Sequence, residues 1–382
     1  MSNQKLLMVT TIPNTLRYFL LPFAEHFRAQ NWQVDAMSQK VSASQECVAA
    51  FNQVWDVEWS RNPLDPRNLL TLPRKICRII AQEQYDIVHV HTPVAAFVTR
   101  YALRGMNPKI KPKIIYTAHG FHFYRGGSAF KNAIFLTLEK LAGKWTDYLV
   151  VINREDEQAA KYHQIIAPER VCYMPGIGVD LAYYNSQAVT EAEANQIYQD
   201  LGLAPETPLF LTLAEFSSRK RHQDIIAALA KLGRSEVHLA LAGGGSLEAK
   251  IKQLAIALGV ENQVHFLGVR QDVPALLRAS RAIILASQQE GLPRSIMESM
   301  CLETPAIGTE IRGTQDLLAD GNGLLFPVGD IDALAQAMAW ILEHPQEAQL
   351  MAQKARKSME KYDLKQILAL HETLYAEALR IN

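Results

Sequence analysis

Short apolar runs, separated by helix-length stretches, recur along almost the whole chain, and this alternation limits the fold more than any other feature. K-L-L-M-V-T-T (5–11) is the first run; W-Q-V-D-A-M-S (32–38), D-I-V-H-V-H (86–91), K-I-I-Y-T-A-H (113–119) and Y-L-V-V-I-N (148–153) follow. Between the first two, residues 15–30 put Leu16, Phe19, Leu20, Phe23 and Phe27 on one helical face. Continuously apolar strands separated by helices indicate a parallel sheet covered on both faces. V-C-Y-M-P-G-I-G-V-D (171–180) closes this series, and a polar helical stretch occupies 181–206. The alternation then restarts at 208–214 and continues through 237–245, 264–268, 282–287 and 305–309. The expectation is an α/β chain of two Rossmann-like domains, 1–190 and 191–359. Two such domains facing each other make a cleft, with ligands at the carboxyl ends of the strands.

Composition excludes several classes. At 48% apolar and 20% charged, the 382 residues are those of a globular protein with room for two domains. No apolar run nears the ~18 residues of a membrane span. The first residues run directly into a strand, so no signal peptide and a cytoplasmic location are expected. Cys47, Cys77, Cys172 and Cys301 have neither metal nor redox spacing, which suits reduced thiols. Net charge is zero, yet residues 1–190 carry 21 Lys+Arg against 15 Asp+Glu, and residues 191–382 carry 18 against 24. A basic N-terminal half suits an anionic partner such as a phospholipid surface or a lipid-linked diphosphate. No nucleic-acid partner is expected. R-N-L-L-T-L-P-R-K-I-C-R-I-I (67–80) reads either as an amphipathic helix on a membrane surface or as a helix packed on the sheet with its basic face in water.

Chemistry concentrates at Q-E-G-L-P-R-S-I-M-E-S-M (289–300). Glu290 and Glu298 lie eight positions apart, with Gly291 and Pro293 between them and an apolar-periodic run following. Gly and Pro there end a loop and open a helix. Glu290 is then in the loop, and Glu298 is about a turn inside the helix. A helix start offers unpaired N–H groups and the positive end of its dipole, which together attract an anion. Two carboxylates able to accept hydroxyls flank that anion site. A nucleotide-sugar has matching chemistry: a diphosphate with a polyol on either side.

A-G-G-G-S-L-E (242–248) also joins a strand to a helix, and Gly243, Gly244 and Gly245 let the backbone approach a phosphate or ribose. A dinucleotide fingerprint needs a further Gly where Glu248 stands, so a dehydrogenase is disfavoured. S-S-R-K-R-H (217–222) is a basic loop after the run 208–214. In the first half, T-A-H-G-F-H-F (117–123) ends one buried strand and H-V-H-T-P (89–93) ends another. His89 and His91 share a strand face. Nothing at metal-ligand spacing completes a site around them, so no metal is expected. Both read as floor residues of the cleft, and His89 reads equally as a satisfied core histidine.

Taken in order, these motifs resemble the retaining glycosyltransferases of family four, which have the GT-B fold. A-H-G-F-H-F, E-G-L-P-R and I-R-G (311–313) together are similar to bacterial exopolysaccharide and capsule transferases, and the resemblance spans essentially the whole chain. It implies that Glu290 faces the donor sugar and Glu298 the ribose, with Lys220 on the diphosphate. His119 is placed near the reacting bond, where it orients and hydrogen-bonds. The implied catalytic set is His119, Glu290 and Lys220. Arg219, Gly243, Gly244, Gly245, Gly268, Val269, Gly291, Leu292, Pro293 and Arg294 join Lys220 and Glu298 around the nucleotide. The family's phosphate-clamping Arg is Glu215 here, so Arg219, Arg221 or Arg294 must supply that charge. T-T-I-P-N-T-L-R (10–17) replaces the family's Gly-Gly loop; Asn14, Arg17, His91 and His122 are assigned to the acceptor side, with Thr11 a further candidate. Glu303 stands where the family usually has Gly, and the last helix, at about 360–382, is expected to pack back on the first domain.

The implied reaction moves a hexosyl group from a nucleotide diphosphate, UDP favoured over GDP, to a saccharide or polyprenyl-diphosphate-linked saccharide. It proceeds with retention, without a metal, a cofactor or a covalent intermediate, in exopolysaccharide synthesis at the inner face of the membrane. Three rivals stand beside it. A GT-B sugar-nucleotide epimerase needs no acceptor, and a nucleotide-sugar sensor binds without turnover. A glycoside hydrolase uses two carboxylates ~5–9 Å apart but needs no convergence of glycine loop, cations and helix start.

Overall fold

The computed structural model describes residues 4–60, 65–124 and 126–380. The chain forms two compact units, Met1–Ile177 with Lys365–Asn382, and Gly178–Leu364. The boundary expected near 190 falls inside the second unit. The reason is local: Val179 bridges to Asp363, donates to the Tyr362 carbonyl at 2.9 Å, and accepts from Leu364 N–H at 3.0 Å. That ladder ties the entry and exit of the second unit together.

The first unit holds a seven-stranded sheet made of β1 (Lys5–Val9), β2 (Gln33–Ser38), β3 (Val54–Asp56), β4 (Ile87–His91), β5 (Lys113–Ala118), β6 (Tyr148–Val151) and β7 (Val171–Tyr173). Its order is β3-β2-β1-β4-β5-β6-β7, and every pairing is parallel. All residues of β4 and β6 are buried, as a sheet covered on both faces requires. The short edge strand β3 is too brief to register as a period in the sequence. The stretch read as one helix at 15–30 is a helical turn at Pro13–Thr15, a π-turn at Leu16–Leu20, and the helix Leu21–Ala29. Pro22 explains the break, since it lacks the N–H that a continuous ladder needs. The face is nonetheless as expected at Leu16, Leu20, Phe23 and Phe27, all buried.

The helix Leu72–Glu83 settles the two readings of 67–80. Leu72, Ile76, Ile79 and Ile80 enter the core of the first unit, while Arg74, Lys75 and Arg78 are exposed. The last helix, Leu364–Arg380, packs within the first unit from residue 365 on: His371 meets Phe23 and Tyr375 meets Phe27, each with ring centroids 4.9 Å apart.

The second unit has a six-stranded parallel sheet of β8 (Leu209–Leu213), β9 (His238–Ala242), β10 (Val264–Gly268), β11 (Ala282–Leu285), β12 (Ala306–Thr309) and β13 (Leu324–Phe326). The order is β10-β9-β8-β11-β12-β13, with an apolar cluster on each face. Strand order reverses between β1 and β4 in one sheet and between β8 and β11 in the other. Open α/β sheets bind ligands at the carboxyl ends beside such reversals. Among the described residues, no helix is long and apolar enough to cross a membrane.

Candidate functional site

In the second unit, the loops leaving β8 and β11 carry the charged residues. Lys220 Nζ lies 2.5 Å from Glu290 Oε1, and both side chains are largely buried, at 13% and 8% exposure. Arg219 stands 4.0 Å from the other Glu290 oxygen and donates to the Gln289 carbonyl. Buried Arg312 donates from Nε to the Glu290 backbone carbonyl at 3.2 Å. Glu290 is thereby held at both its side chain and its backbone, just before the helix Arg294–Cys301.

Glu298 sits inside that helix, 8% exposed. Its Oε1 accepts from Arg294 Nε at 2.8 Å and from the Tyr184 hydroxyl at 2.7 Å. Burial pushes the Glu298 carboxyl above its usual range, and the Arg294 charge and the Tyr184 hydrogen bond pull it back. Burial and the neighbouring carboxylate hold the Tyr184 hydroxyl protonated far above neutrality. Arg221, one candidate for the missing clamp, pairs instead with Asp224 at 2.6 Å, and Glu215 is exposed. Of the three arginines that could replace the clamp, Arg219 and Arg294 stand beside the two carboxylates, together with Lys220.

The glycines have a steric reason. A Cβ on Gly243 would lie 2.0 Å from the Ala214 carbonyl oxygen, and one on Gly245 would lie 2.5 Å from that of Phe216. The loop after β9 therefore lies directly on the loop after β8. Gly243 N–H donates to the Gly268 carbonyl at 2.7 Å, and the exposed Val269 reaches over Gly244. Gly313 of the I-R-G motif is packed the same way, since a Cβ there would lie 2.1 Å from the Gly291 carbonyl oxygen. Leu292 packs against the core, and Pro293 precedes the helix as its N-cap.

In the first unit, the loops after β1, β4 and β5 carry hydroxyls and imidazoles. Thr11 donates its N–H to Thr92 Oγ1 at 2.9 Å, and the two hydroxyls lie 2.8 Å apart. Thr92 has φ +63°, a costly conformation for a β-branched residue. Pro93 follows it, which excludes ordinary helical geometry, and the clasp to Thr11 holds what remains. His91 Nδ1 lies 3.0 Å from His119 Nε2. His91 also stacks on His89, with centroids 4.2 Å apart. His89 is a satisfied core histidine, bonded to the Tyr375 hydroxyl at 2.6 Å and to Thr117 Oγ1 at 2.7 Å. Burial pushes His89 and His91 well below the usual imidazole range and His119 to about 4, with neighbouring imidazoles adding to each. All three are neutral at pH 7.

The expected acceptor residues divide. Asn14 is exposed in the helical turn Pro13–Thr15 after β1, and His91 belongs to the imidazole row. Arg17 turns instead to Glu46 at 2.5 Å. His122 is exposed and lies against Phe135, with centroids 5.2 Å apart, outside the row. Sequence reading missed Tyr184, Arg312 and Thr92. Arg312 stood inside the I-R-G motif, so a signal existed. Nothing local ties Tyr184 to Glu298, because their contact spans 114 positions.

Residues 18–183 match Glycosyltransferase Family 4, and residues 194–358 match Glycosyl transferases group 1. The putative glycosyltransferase EpsD of Bacillus subtilis (strain 168) is 30% identical over 93% of this chain and 92% of its own length. The chain belongs to glycosyltransferase family 4. An Escherichia coli relative, UDP-Gal:alpha-D-GlcNAc-diphosphoundecaprenol alpha-1,3-galactosyltransferase, is 25% identical over 73% of this chain and 71% of its own. The Anabaena protein Alr3699/HepE, solved with UDP-glucose, superposes with a TM-score of 0.81 at 20% identity, over 98% of this chain and 100% of its own. That likeness concerns the fold, which is GT-B in this family 4 glycosyltransferase.

Proposed function

We propose that this glycosyltransferase moves a hexosyl group from a UDP-sugar to a saccharide carried on a lipid-linked diphosphate, with retention at the anomeric carbon, in exopolysaccharide or cell-surface glycan synthesis. The observation that carries this reading is the pair of buried carboxylates at the start of the helix Arg294–Cys301, each matched to a cation. Glu290 accepts hydroxyls of the donor sugar, and Glu298, steadied by Tyr184, accepts those of the ribose. Lys220, Arg294 and the backbone N–H groups near 292–295 meet the diphosphate, where negative charge grows as the bond to the sugar breaks. These groups carry the charge without a metal in this reading. Lys220 and Arg219 hold Glu290, which makes it a poor nucleophile. The acceptor oxygen therefore attacks the anomeric carbon on the face that the diphosphate leaves, and its proton passes to the departing phosphate oxygen. UDP is supported by HepE, solved with UDP-glucose, and by the relative named for UDP-Gal. An epimerase of the same architecture would act with no acceptor present, and a GDP-sugar-dependent transferase would bind GDP in place of UDP while still needing the acceptor.

Membrane contact belongs to this reading because the acceptor is lipid-linked. The helix Ala129–Gly143 supplies the surface. Phe130, Ile134 and Leu141 form one stripe, 76%, 44% and 41% exposed, with Lys131, Lys140 and Lys144 exposed beside them. Apolar side chains flanked by lysines suit an anionic leaflet.

Calorimetric titration with UDP, GDP and ADP, without metal and then with Mg²⁺, tests the donor site. Metal-independent binding of UDP alone is the expected result. Binding of none of the three sinks the reading. With a UDP-sugar panel and a lipid-linked acceptor, the anomeric coupling of the product then decides between retention and inversion.

A further inference from the structure

The imidazole row determines which nitrogen of His119 carries a proton. His91 uses only one of its two ring nitrogens: Nδ1 faces His119 Nε2 at 3.0 Å, while Nε2 is buried and meets no hydrogen-bonding atom. His89 is stacked on the same ring. The cavity that His91 lines has about 10 Å³ of room, at the lower limit for a single water, and the polar groups on its wall are turned to other partners: His89 to Thr117 and Tyr375, His371 to the Ile367 carbonyl. A neutral imidazole has one donor nitrogen and one acceptor nitrogen. If His91 carried its proton on Nε2, a buried N–H would point at nothing, and orphaned buried N–H groups are rare because they are costly. With the proton on Nδ1, the N–H is used and only a bare lone pair is left over. His119 Nε2 must then accept, so its own proton sits on Nδ1. His119 is half-buried, and among the described residues nothing bonds that Nδ1.

We propose that His91 is a positioning residue that locks His119 in the Nδ1–H tautomer, so that His119 offers the transferred sugar a neutral N–H donor and not a base. The role of that donor rests on the transferase reading; the tautomer does not. The row itself keeps both rings uncharged, since burial and adjacent imidazoles depress their protonation. His89 does not interfere, because both of its partners are hydroxyls that donate or accept as needed.

Long-range ¹H–¹⁵N correlation of the histidine rings at pH 7 reads the tautomer directly, with His119 assigned by the variant His119→Gln. The expected spectrum shows His119 protonated on Nδ1 and bare on Nε2; a protonated Nε2 overturns the proposal. His91→Leu should release His119 toward the Nε2–H form favoured in water and lower kcat about tenfold, with UDP affinity unchanged. His91→Asn, whose side-chain N–H can stand where Nδ1–H stands, should restore both the spectrum and kcat. A leucine variant with an unchanged tautomer and unchanged kcat overturns the proposal. Should that variant fail to fold, the spectrum of the native chain decides alone. If the protein moves no sugar at all, the proposed function falls, and the spectrum still reads the tautomer.

Discussion

The two sheets end in the same kind of carboxyl edge but carry opposite chemistries there. In the second unit the carboxylates come with cations, Glu290 with Lys220 and Glu298 with Arg294. In the first unit the corresponding loops present threonine hydroxyls and neutral imidazoles. Fixed charge suits a diphosphate whose negative charge grows during reaction. Neutral donors and acceptors suit sugar hydroxyls, which are uncharged and need direction more than field. The edges are also held differently. Ion pairs that join distant loops fix the charged one, whereas burial beneath the last helix fixes the neutral one.

The comparison breaks most visibly at Lys220. Lys220→Ala removes the charge that the proposed function sets against the diphosphate, and leaves Glu290 buried without its closest cation. A loss of about a thousandfold in kcat/KM, ~4 kcal/mol, is expected in steady-state kinetics. His119→Gln comes next, with a loss of about a hundredfold that falls on kcat while UDP affinity by calorimetry stays at the native value. If His119→Gln weakens UDP binding as much as Lys220→Ala does, the assignment of charge to one edge and direction to the other is wrong.

Much of this division was legible in the chain. Continuous apolar runs announced both parallel sheets, and E-G-L-P-R announced a carboxylate before a helix start. What escaped reading depends on contacts between distant positions. Tyr184 reaches Glu298, and Tyr375 reaches His89 across 286 positions; no local spacing encodes either. Arg17 looked like an acceptor ligand because it follows the β1 loop, but the π-turn forced near Pro22 carries it to Glu46. The helix Leu72–Glu83 shows the limit of composition: its basic, amphipathic pattern fits a membrane surface, yet its apolar face is spent on the core. The exposed stripe from Phe130 to Leu141 lies instead on the helix Ala129–Gly143, where Lys131 and Lys140 are too few to draw the eye in the sequence.

Acid should separate the units further. His119 and His371 are depressed to about 4, and burial holds His89 and His91 well below the usual imidazole range, against 6.5 for an unfolded chain. Between those values the unfolded chain binds more protons than the folded one, so stability rises with pH and is lost as pH falls from about 6.5 toward 4. A few kcal/mol of loss, concentrated in the first unit, is expected by pH 5. The second unit has His222 depressed to about 4 and only smaller shifts at His238 and His265. Hydrogen exchange at pH 7 and pH 5 should show β4 and β5 losing protection before β8 and β11. Equal loss in both sheets would mean that the imidazole row is not what acid attacks first.

The smallest effect sharpens the charged edge. Tyr184→Phe deletes one hydrogen bond to Glu298 Oε1 and leaves Arg294 in place, 2.8 Å from the same oxygen. A bond to a charged group contributes on the order of 1.5 kcal/mol, so UDP affinity should fall about tenfold. The value of kcat should change little, because the proposed function sets Glu298 against the ribose, away from the reacting bond. The Tyr184 bond also helps to hold the Glu298 proton off against the burial that pulls it on. Its loss should raise the Glu298 carboxyl further, so UDP binding to the variant weakens at a higher pH on the acid side than binding to the native chain. Calorimetry across pH 5 to 8 measures both effects. A variant with native affinity and an unshifted acid limb would show that Arg294 alone prepares Glu298, and that Tyr184 only fills space.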